Sequence, residues 1–138
     1  MIPATTGTIS LRDKTFVGID FGTSTTVVSV ASHSNGVNSV NVLPIKLAQT
    51  LEDGTKFQSE KLPSIIAWYN GKLLVGEGAS NLKYTLKKGQ NIWFSFKMEI
   101  GEDLGAKYYN SEVGDITTVS TRNAKDCVRI FCDDLNML

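Results

Sequence analysis

An acidic residue, a glycine and a run of hydroxyl residues make residues 17–30 (VGIDFGTSTTVVSV) the part of this sequence best suited to chemistry. Asp20 ends an apolar run, Gly22 allows a sharp turn, and residues 23–26 supply four hydroxyl groups before a second apolar run. Successive backbone N–H groups in such a turn can converge on an anion. A carboxylate there would repel a bare phosphate, so the pattern predicts a phosphate site with Mg²⁺ and its waters beside Asp20.

The same residues also fit a plain β-hairpin, with a solvated aspartate in its polar turn. They do not form the lysine-containing Gly-rich nucleotide loop, because the chain has no Gly-Lys-Ser/Thr sequence and no helical pattern follows the turn.

The elements around this segment predict a β-rich body with a helical end. Strands at 16–19, 26–31 and 37–43 form a predicted meander, with Asn35-Gly36 as the turn between the last two. Residues 44–61 are polar and mixed, and they predict a loop or a short excursion that turns at Asp53-Gly54. The remaining predicted elements are strands at 64–69 and 72–75, a short helix at 79–84, an apolar-aromatic segment at 91–99 and a short strand at 116–119.

A final helix is predicted from an apolar stripe at helical spacing, which is typical of a helix packed on a core. Its members are Ala124, Cys127, Val128, Phe131 and Leu135, and the candidate N-caps are Ser120, Thr121 and Asn123. Cys127 and Cys132 face different directions on this helix, so both are expected to be free thiols.

The composition of the chain argues against some classes of binding partner and predicts a cellular location. Lys+Arg and Asp+Glu number 14 each, which provides no electrostatic case for nucleic acid or an anionic membrane as a partner. No apolar run is long enough to span a bilayer, and Met1 to Lys14 lack the apolar centre of a signal peptide. Together with two free thiols, these features predict a cytoplasmic protein.

Four segments in order resemble known proteins. Residues 17–30 resemble the first phosphate-binding hairpin of the actin, sugar-kinase and heat-shock ATPase superfamily. Three further segments resemble the 70-kDa heat-shock chaperones, the DnaK-like family: 62–68 (LPSIIAW), 74–79 (LVGEGA) and 91–101 (NIWFSFKMEIG). The four segments together cover most of residues 16–101.

The resemblance implies an α/β protein (α+β by content) with the ribonuclease-H-like fold of actin-like ATPases. We expect an antiparallel or mixed β-meander, a small second subdomain and a C-terminal helix. The expected division is a flexible segment at 1–14, followed by the N-terminal portion of the first ATPase lobe at 15–138. That portion divides into a phosphate-binding meander at 15–43, a small α/β insertion subdomain at 44–121 and a closing helix at 122–138.

The resemblance also implies a site for ATP or ADP with Mg²⁺. Asp20 would lie beside the ion and its waters, and Lys97 would hold the attacking water and the γ-phosphate. The residues expected to close on the phosphates are Gly22, Thr23, Ser24 and Thr25. Phe94 and Phe96 shortly precede Lys97 in sequence, and their rings would strengthen this interaction by removing water from it. Without the resemblance, Lys97 fits a surface lysine lying over aromatic rings.

Departures from the family pattern indicate a divergent relative. Only residues 98–122 separate the lysine from the final helix, Met98 stands where the family often has arginine, and the loop at 44–61 is long. The second lobe of the family ATPase and its peptide-binding domain have no counterpart here, so we expect a fragment. Peptide clients and co-chaperones would belong to the intact protein, while the fragment would be inactive alone and prone to self-association.

Two other functions stay open. A sugar or acyl kinase, or another actin-like ATPase of the same superfamily, shares the Asp-x-Gly-Thr hairpin but not the segment around Lys97. A non-enzymatic β-rich interaction module would leave Asp20 and Lys97 as solvated surface charges.

Overall fold

The computed structural model describes residues 14–33, 40–100 and 124–135 of the 138-residue chain. The described chain is mixed α/β, with antiparallel sheets and a C-terminal helix, in agreement with the predicted class. Its elements in chain order are β1 (Thr15–Phe21), β2 (Thr25–Ser32), β3 (Asn41–Pro44), β4 (Leu47–Thr50), β5 (Lys56–Ser59), β6 (Leu62–Pro63), β7 (Ile65–Tyr69), β8 (Lys72–Val75), α1 (Glu77–Asn81), β9 (Ile92–Phe94) and α2 (Ala124–Asp134).

The first sheet contains the predicted meander. Its strands follow the order β1-β2-β3, and the β1/β2 register runs from Phe21 opposite Thr26 to Thr15 opposite Ser32. The short strand β6 pairs with the start of β2. The Asn35-Gly36 turn lies outside the described residues, as do the predicted strand at 116–119 and the three candidate N-caps of the last helix.

The predicted loop at 44–61 is instead largely a hairpin of β4 and β5. Its turn lies at Asp53-Gly54, as the sequence predicts. The Asp53 carboxylate accepts hydrogen bonds from the backbone N–H and the hydroxyl of Thr55, at 2.8 and 2.7 Å. These bonds lower the pKa of Asp53. The polar composition therefore reflects the turn and an exposed hairpin, because few of these side chains are buried.

Helix α1 begins two residues earlier than predicted and ends at Asn81, where turns replace the rest of the expected helix. Its start depends on a distant side chain. The Gln49 amide, 4% exposed, accepts a hydrogen bond from the Glu77 N–H at 2.7 Å and donates one to the Lys61 carbonyl at 3.1 Å. Gly76 enters the helix with φ 81°, and a Cβ there would collide with Gln49. The N-terminus of α1 is thus capped by a side chain that is distant in sequence, Gln49.

The third sheet has the order β8-β7-β9 and is entirely antiparallel. The strands predicted at 64–69 and 72–75 are confirmed as β7 and β8. Asn70 and Gly71 between them have φ of 50° and 72°, as the tight turns of hairpins require. The aromatic segment at 91–99 forms the short strand β9 and then a series of turns.

Three aromatic rings from separate segments pack together in one cluster of the core. Phe131 of α2 lies 5.5 Å from Phe21 at the end of β1 and 6.0 Å from Phe96, between ring centroids. Phe131 and Phe96 are almost completely buried. The predicted apolar stripe of α2 is confirmed, because each of its members is buried or packed against this cluster, and Ile130 adds to it. No helix among the described residues is both long and apolar enough to cross a membrane.

Replacing Phe131 with alanine should lower the free energy of unfolding by about 3–5 kcal/mol, because the ring is fully buried and its neighbours cannot fill the cavity. Urea denaturation followed by circular dichroism would measure this change. Lys125→Ala, at an exposed position of the same helix, should change stability by less than about 0.5 kcal/mol. Equal effects of the two substitutions would contradict the packing described here.

The two cysteines, confirmed as free, should differ in their reaction with a thiol reagent. Cys127 is buried, and burial raises the pKa of its thiol strongly, whereas Cys132 is partly exposed, with a pKa that burial and Asp133 raise less. Since the thiolate is the reactive form, Cys132 should react first, and its rate should still increase with pH beyond the range of an ordinary cysteine. Cys132→Ser should remove this faster phase. Equal rates for both thiols in the folded protein would contradict the prediction.

Candidate functional site

The turn between β1 and β2 is held closed by its own backbone. The Gly22 N–H donates a hydrogen bond to the Thr25 carbonyl at 3.1 Å. A Cβ on Gly22 would collide with that same carbonyl oxygen, so no other residue fits this turn without changing it. The sharp turn predicted from Gly22 is therefore present, and it brings the hydroxyl residues to one end of the hairpin.

Ser64 fastens this turn to the third sheet. Its backbone N–H donates to the Ser24 carbonyl, and its hydroxyl donates to the Gly22 carbonyl, both at 2.9 Å. The Thr26 hydroxyl lies 3.0 Å from the Ser64 hydroxyl. Because the Ser64 proton goes to Gly22, Thr26 is the donor in this last contact. Thr26 and Ser64 are 0% and 1% exposed, so the bond between their hydroxyl groups is shielded from water.

Sequence reasoning missed this role of Ser64. The segment that contains it resembles known proteins, but the predicted site residues do not include Ser64. The available signal was a hydroxyl residue directly before the apolar strand at 65–69, where a buried polar group needs partners. Nothing in the local sequence indicates that those partners lie in the turn at 22–26.

An open cleft of about 240 Å³ lies beside the turn. Six of its ten lining residues carry hydroxyl groups, and Lys83 is the one charged residue among the ten. The hydroxyl residues are Thr23, Ser24, Thr25, Ser64, Ser80 and Ser95. Since no carboxylate lines the cleft, its charge and its hydrogen-bond donors favour an anion. Three of the four predicted phosphate-binding residues thus border a suitable cavity.

Lys97 reaches the base of the same turn from far along the sequence. Phe96 is buried in the aromatic cluster, and the next residue, Lys97, is exposed. Its ammonium group donates a hydrogen bond to the carbonyl of Phe21 and lies 5.6 Å from the centroid of that ring. The desolvation expected from Phe94 and Phe96 is not found, because the side chain is exposed and the ring it contacts is Phe21. Lys97 does not line the cleft itself.

Asp20 is exposed on β1, opposite Val27 of β2. Side chains alternate along a strand, so Asp20 and the ring of Phe21 lie on opposite faces of the sheet. Lys97 binds the carbonyl group of Phe21, the residue after Asp20, but no ion pair joins the Lys97 and Asp20 side chains in the described chain. The structure therefore brings the lysine to within one residue of the aspartate without direct contact.

The described residues contain no group of three or more His, Cys, Asp or Glu side chains that could hold a metal ion. A metal held mainly by protein ligands is therefore not supported in this part of the chain. A single carboxylate is compatible only with an ion whose other ligands are water and phosphate oxygens, which is the usual environment of Mg²⁺ beside nucleotides.

Comparison with known proteins adds no identification. The chain matches no protein-family model, and it matches no curated protein. The resemblance to the DnaK-like family therefore rests on the four sequence segments described above.

Ser64→Ala should destabilise the protein by about 1–3 kcal/mol, because the Gly22 carbonyl loses its buried donor and the Thr26 hydroxyl loses its acceptor. Thermal and urea denaturation would measure the loss. Ser24→Ala is the matched control, since this hydroxyl is exposed in the same turn and the Ser24 carbonyl would keep its bond. A Ser64→Ala protein as stable as the control would show that the hydroxyl network is not holding the turn.

Proposed function

We propose that this chain is the N-terminal part of the ATPase domain of a divergent DnaK-like chaperone, with the ribonuclease-H-like fold. Its role is to bind the phosphates of ATP or ADP at the Gly22–Thr25 turn. One observation carries the proposal: a glycine turn bonded to the buried Ser64 borders a hydroxyl-lined cleft without carboxylates, and Lys97 lies at the base of that turn.

The turn suits a phosphate group because its donors are already arranged. Ser64 uses the carbonyl groups of Gly22 and Ser24, so these acceptors are directed into the protein and away from an incoming anion. Thr23 and Ser24, which both carry hydroxyl groups, line the cleft. Such preorganised donors bind without the cost of ordering a loop.

Asp20 and Lys97 would act on either side of the phosphates. When Mg²⁺ is bound with a nucleotide, it neutralises phosphate charge, and Asp20 would hold it through its water shell. Lys97 would exchange its bond with the Phe21 carbonyl for the γ-phosphate and the attacking water, where a cation stabilises the charge of phosphoryl transfer.

A two-lobed ATPase of this family places the nucleotide between its lobes, and this chain would supply one side. We therefore propose that the chain alone binds ATP weakly and does not hydrolyse it, because the contacts to the adenosine and half of those to the phosphates would be missing. The second lobe, peptide clients and co-chaperones are proposed partners of the intact protein, which we place in the cytoplasm. Apolar side chains on β1 and β3, including Val17 at 63% and Val42 at 59% exposed, are compatible with self-association of the chain.

Mg-ATP should bind the ¹⁵N-labelled chain in the millimolar range and shift the backbone amide signals of Gly22–Thr26. Nuclear magnetic resonance titration detects binding this weak. Mg²⁺ should increase the affinity for ATP in the wild type but not in Asp20→Asn, since the neutral side chain no longer attracts the hydrated ion. Glu60→Gln, which removes the same negative charge at another exposed position, serves as a control for altered surface charge.

Four results would count against this proposal. Shifts confined to residues outside the turn would place the ligand elsewhere, and equal dependence on Mg²⁺ in wild type and Asp20→Asn would remove the role of the carboxylate. A micromolar dissociation constant would contradict a site divided between two lobes. The complete absence of shifts would favour the interaction module over an ATPase.

A further inference from the structure

Lys83 has no role in the site predicted from the sequence, although it is the charged residue that lines the cleft. The side chain is half-buried, and its ammonium group lies 4.7 Å from the centroid of the Phe94 ring. Contact with an aromatic face favours a cation and holds the long side chain in place. Lys83 is therefore a positioned charge within the cleft.

The local backbone explains why Lys83 and a hydroxyl group share this wall. The chain leaves α1 in a tight turn, in which the Lys83 N–H donates to the Ser80 carbonyl at 3.1 Å. Residues three apart in such a turn lie on the same side. Ser80 and Lys83 accordingly both line the cleft, together with the hydroxyl residues of the β1–β2 turn.

A neighbouring lysine shows what Lys83 lacks. Lys88 lies 4.8 Å from the centroid of the same Phe94 ring, but its ammonium group is also 2.9 Å from a carboxylate oxygen of Glu99. No Asp or Glu of the described chain lies within ion-pair distance of Lys83. Of the two lysines on this ring, the one that faces the cleft keeps its charge available for a ligand.

Ser95 also lines the cleft, and its backbone conformation is unusual. Its φ is 60°, in the left-handed region that residues with a Cβ rarely adopt. This conformation ends β9 and leaves Ser95 lining the cleft. Within the described chain, the hydroxyl groups of Ser80 and Ser95 have no protein hydrogen-bond partner, so both can bind a ligand.

We propose that Lys83 is a second phosphate-binding cation of this site, acting with the hydroxyl groups of Ser80 and Ser95. The ligand class is the triphosphate of a nucleotide, and the inference rests on the proposed function. Lys97 would neutralise phosphate charge at the base of the turn, whereas Lys83 would bind it from the wall formed by α1 and β9. Two separate cations suit a chain of several phosphates better than a single phosphate group.

Inorganic tripolyphosphate, added without metal to the whole ¹⁵N-labelled chain, tests this contact apart from adenosine and Mg²⁺. Lys83→Gln should raise the dissociation constant about fivefold. This loss of affinity lies between the loss expected for an exposed ion pair and that expected for a charged hydrogen bond. Lys87→Gln removes the same charge at an exposed position outside the cleft lining and should change the constant less than about twofold. Ser95→Gly removes one hydroxyl while keeping a backbone conformation that glycine adopts freely, so it should weaken binding without unfolding the chain.

The outcomes separate the two proposals. Equal affinities of wild type and Lys83→Gln would overturn the role of Lys83, while an Mg²⁺ effect lost in Asp20→Asn would leave the nucleotide site standing. Equal losses in Lys83→Gln and Lys87→Gln would also overturn it, because they would show only a general effect of charge. If tripolyphosphate shifts no amide signal around the cleft, the inference fails, and the Mg-ATP titration decides whether the proposed function fails with it. Thermal unfolding of each variant confirms that the chain is folded in every comparison.

Discussion

The buried hydroxyl group of Ser64 is the contact on which the geometry of the site depends. It donates to the Gly22 carbonyl and accepts from Thr26, and its backbone N–H binds the Ser24 carbonyl. In an isolated hairpin turn, water would compete for such bonds. Here the Ser64 side chain is almost completely buried, so leaving one of its bonds unmade is costly. The first and third sheets are therefore joined at the turn itself. The shape of the cleft beside the turn depends on these few bonds.

Packing of apolar groups positions the charged ones. The rings of Phe21, Phe96 and Phe131 bring together three segments that are far apart in sequence. Burial of Phe96 leaves the next residue, Lys97, at the surface beside Phe21, where its ammonium group meets a backbone carbonyl. The hydrophobic effect, which is nonspecific, thus determines where a specific hydrogen bond forms.

The charges around the turn are divided between two environments. Lys83 lies in a cleft of hydroxyl groups without a carboxylate, whereas Asp20 is exposed on β1, on the opposite face from the ring of Phe21. This division allows an anion to approach the hydroxyl groups without meeting the aspartate directly. In the proposed function, a hydrated cation would lie between the carboxylate and the phosphates, and other parts of an ATPase would complete the site.

The sequence by itself determined the parts that depend on local patterns. Alternation and turn residues predicted β1, β2, β7 and β8 and the turns at Asp53-Gly54 and Asn70-Gly71, and helical spacing predicted the buried face of α2. The tight turn at Gly22 followed from the same rules. Only the tertiary structure decided which distant groups meet: Gln49 at the start of α1, Ser64 beneath the turn, Lys97 on Phe21 and Lys83 in the cleft. The reason is physical, since a strand or helix is specified by residues a few positions apart. These contacts instead join side chains to backbone groups that are between 28 and 76 positions away, and the lining of the cleft comes from four separate segments.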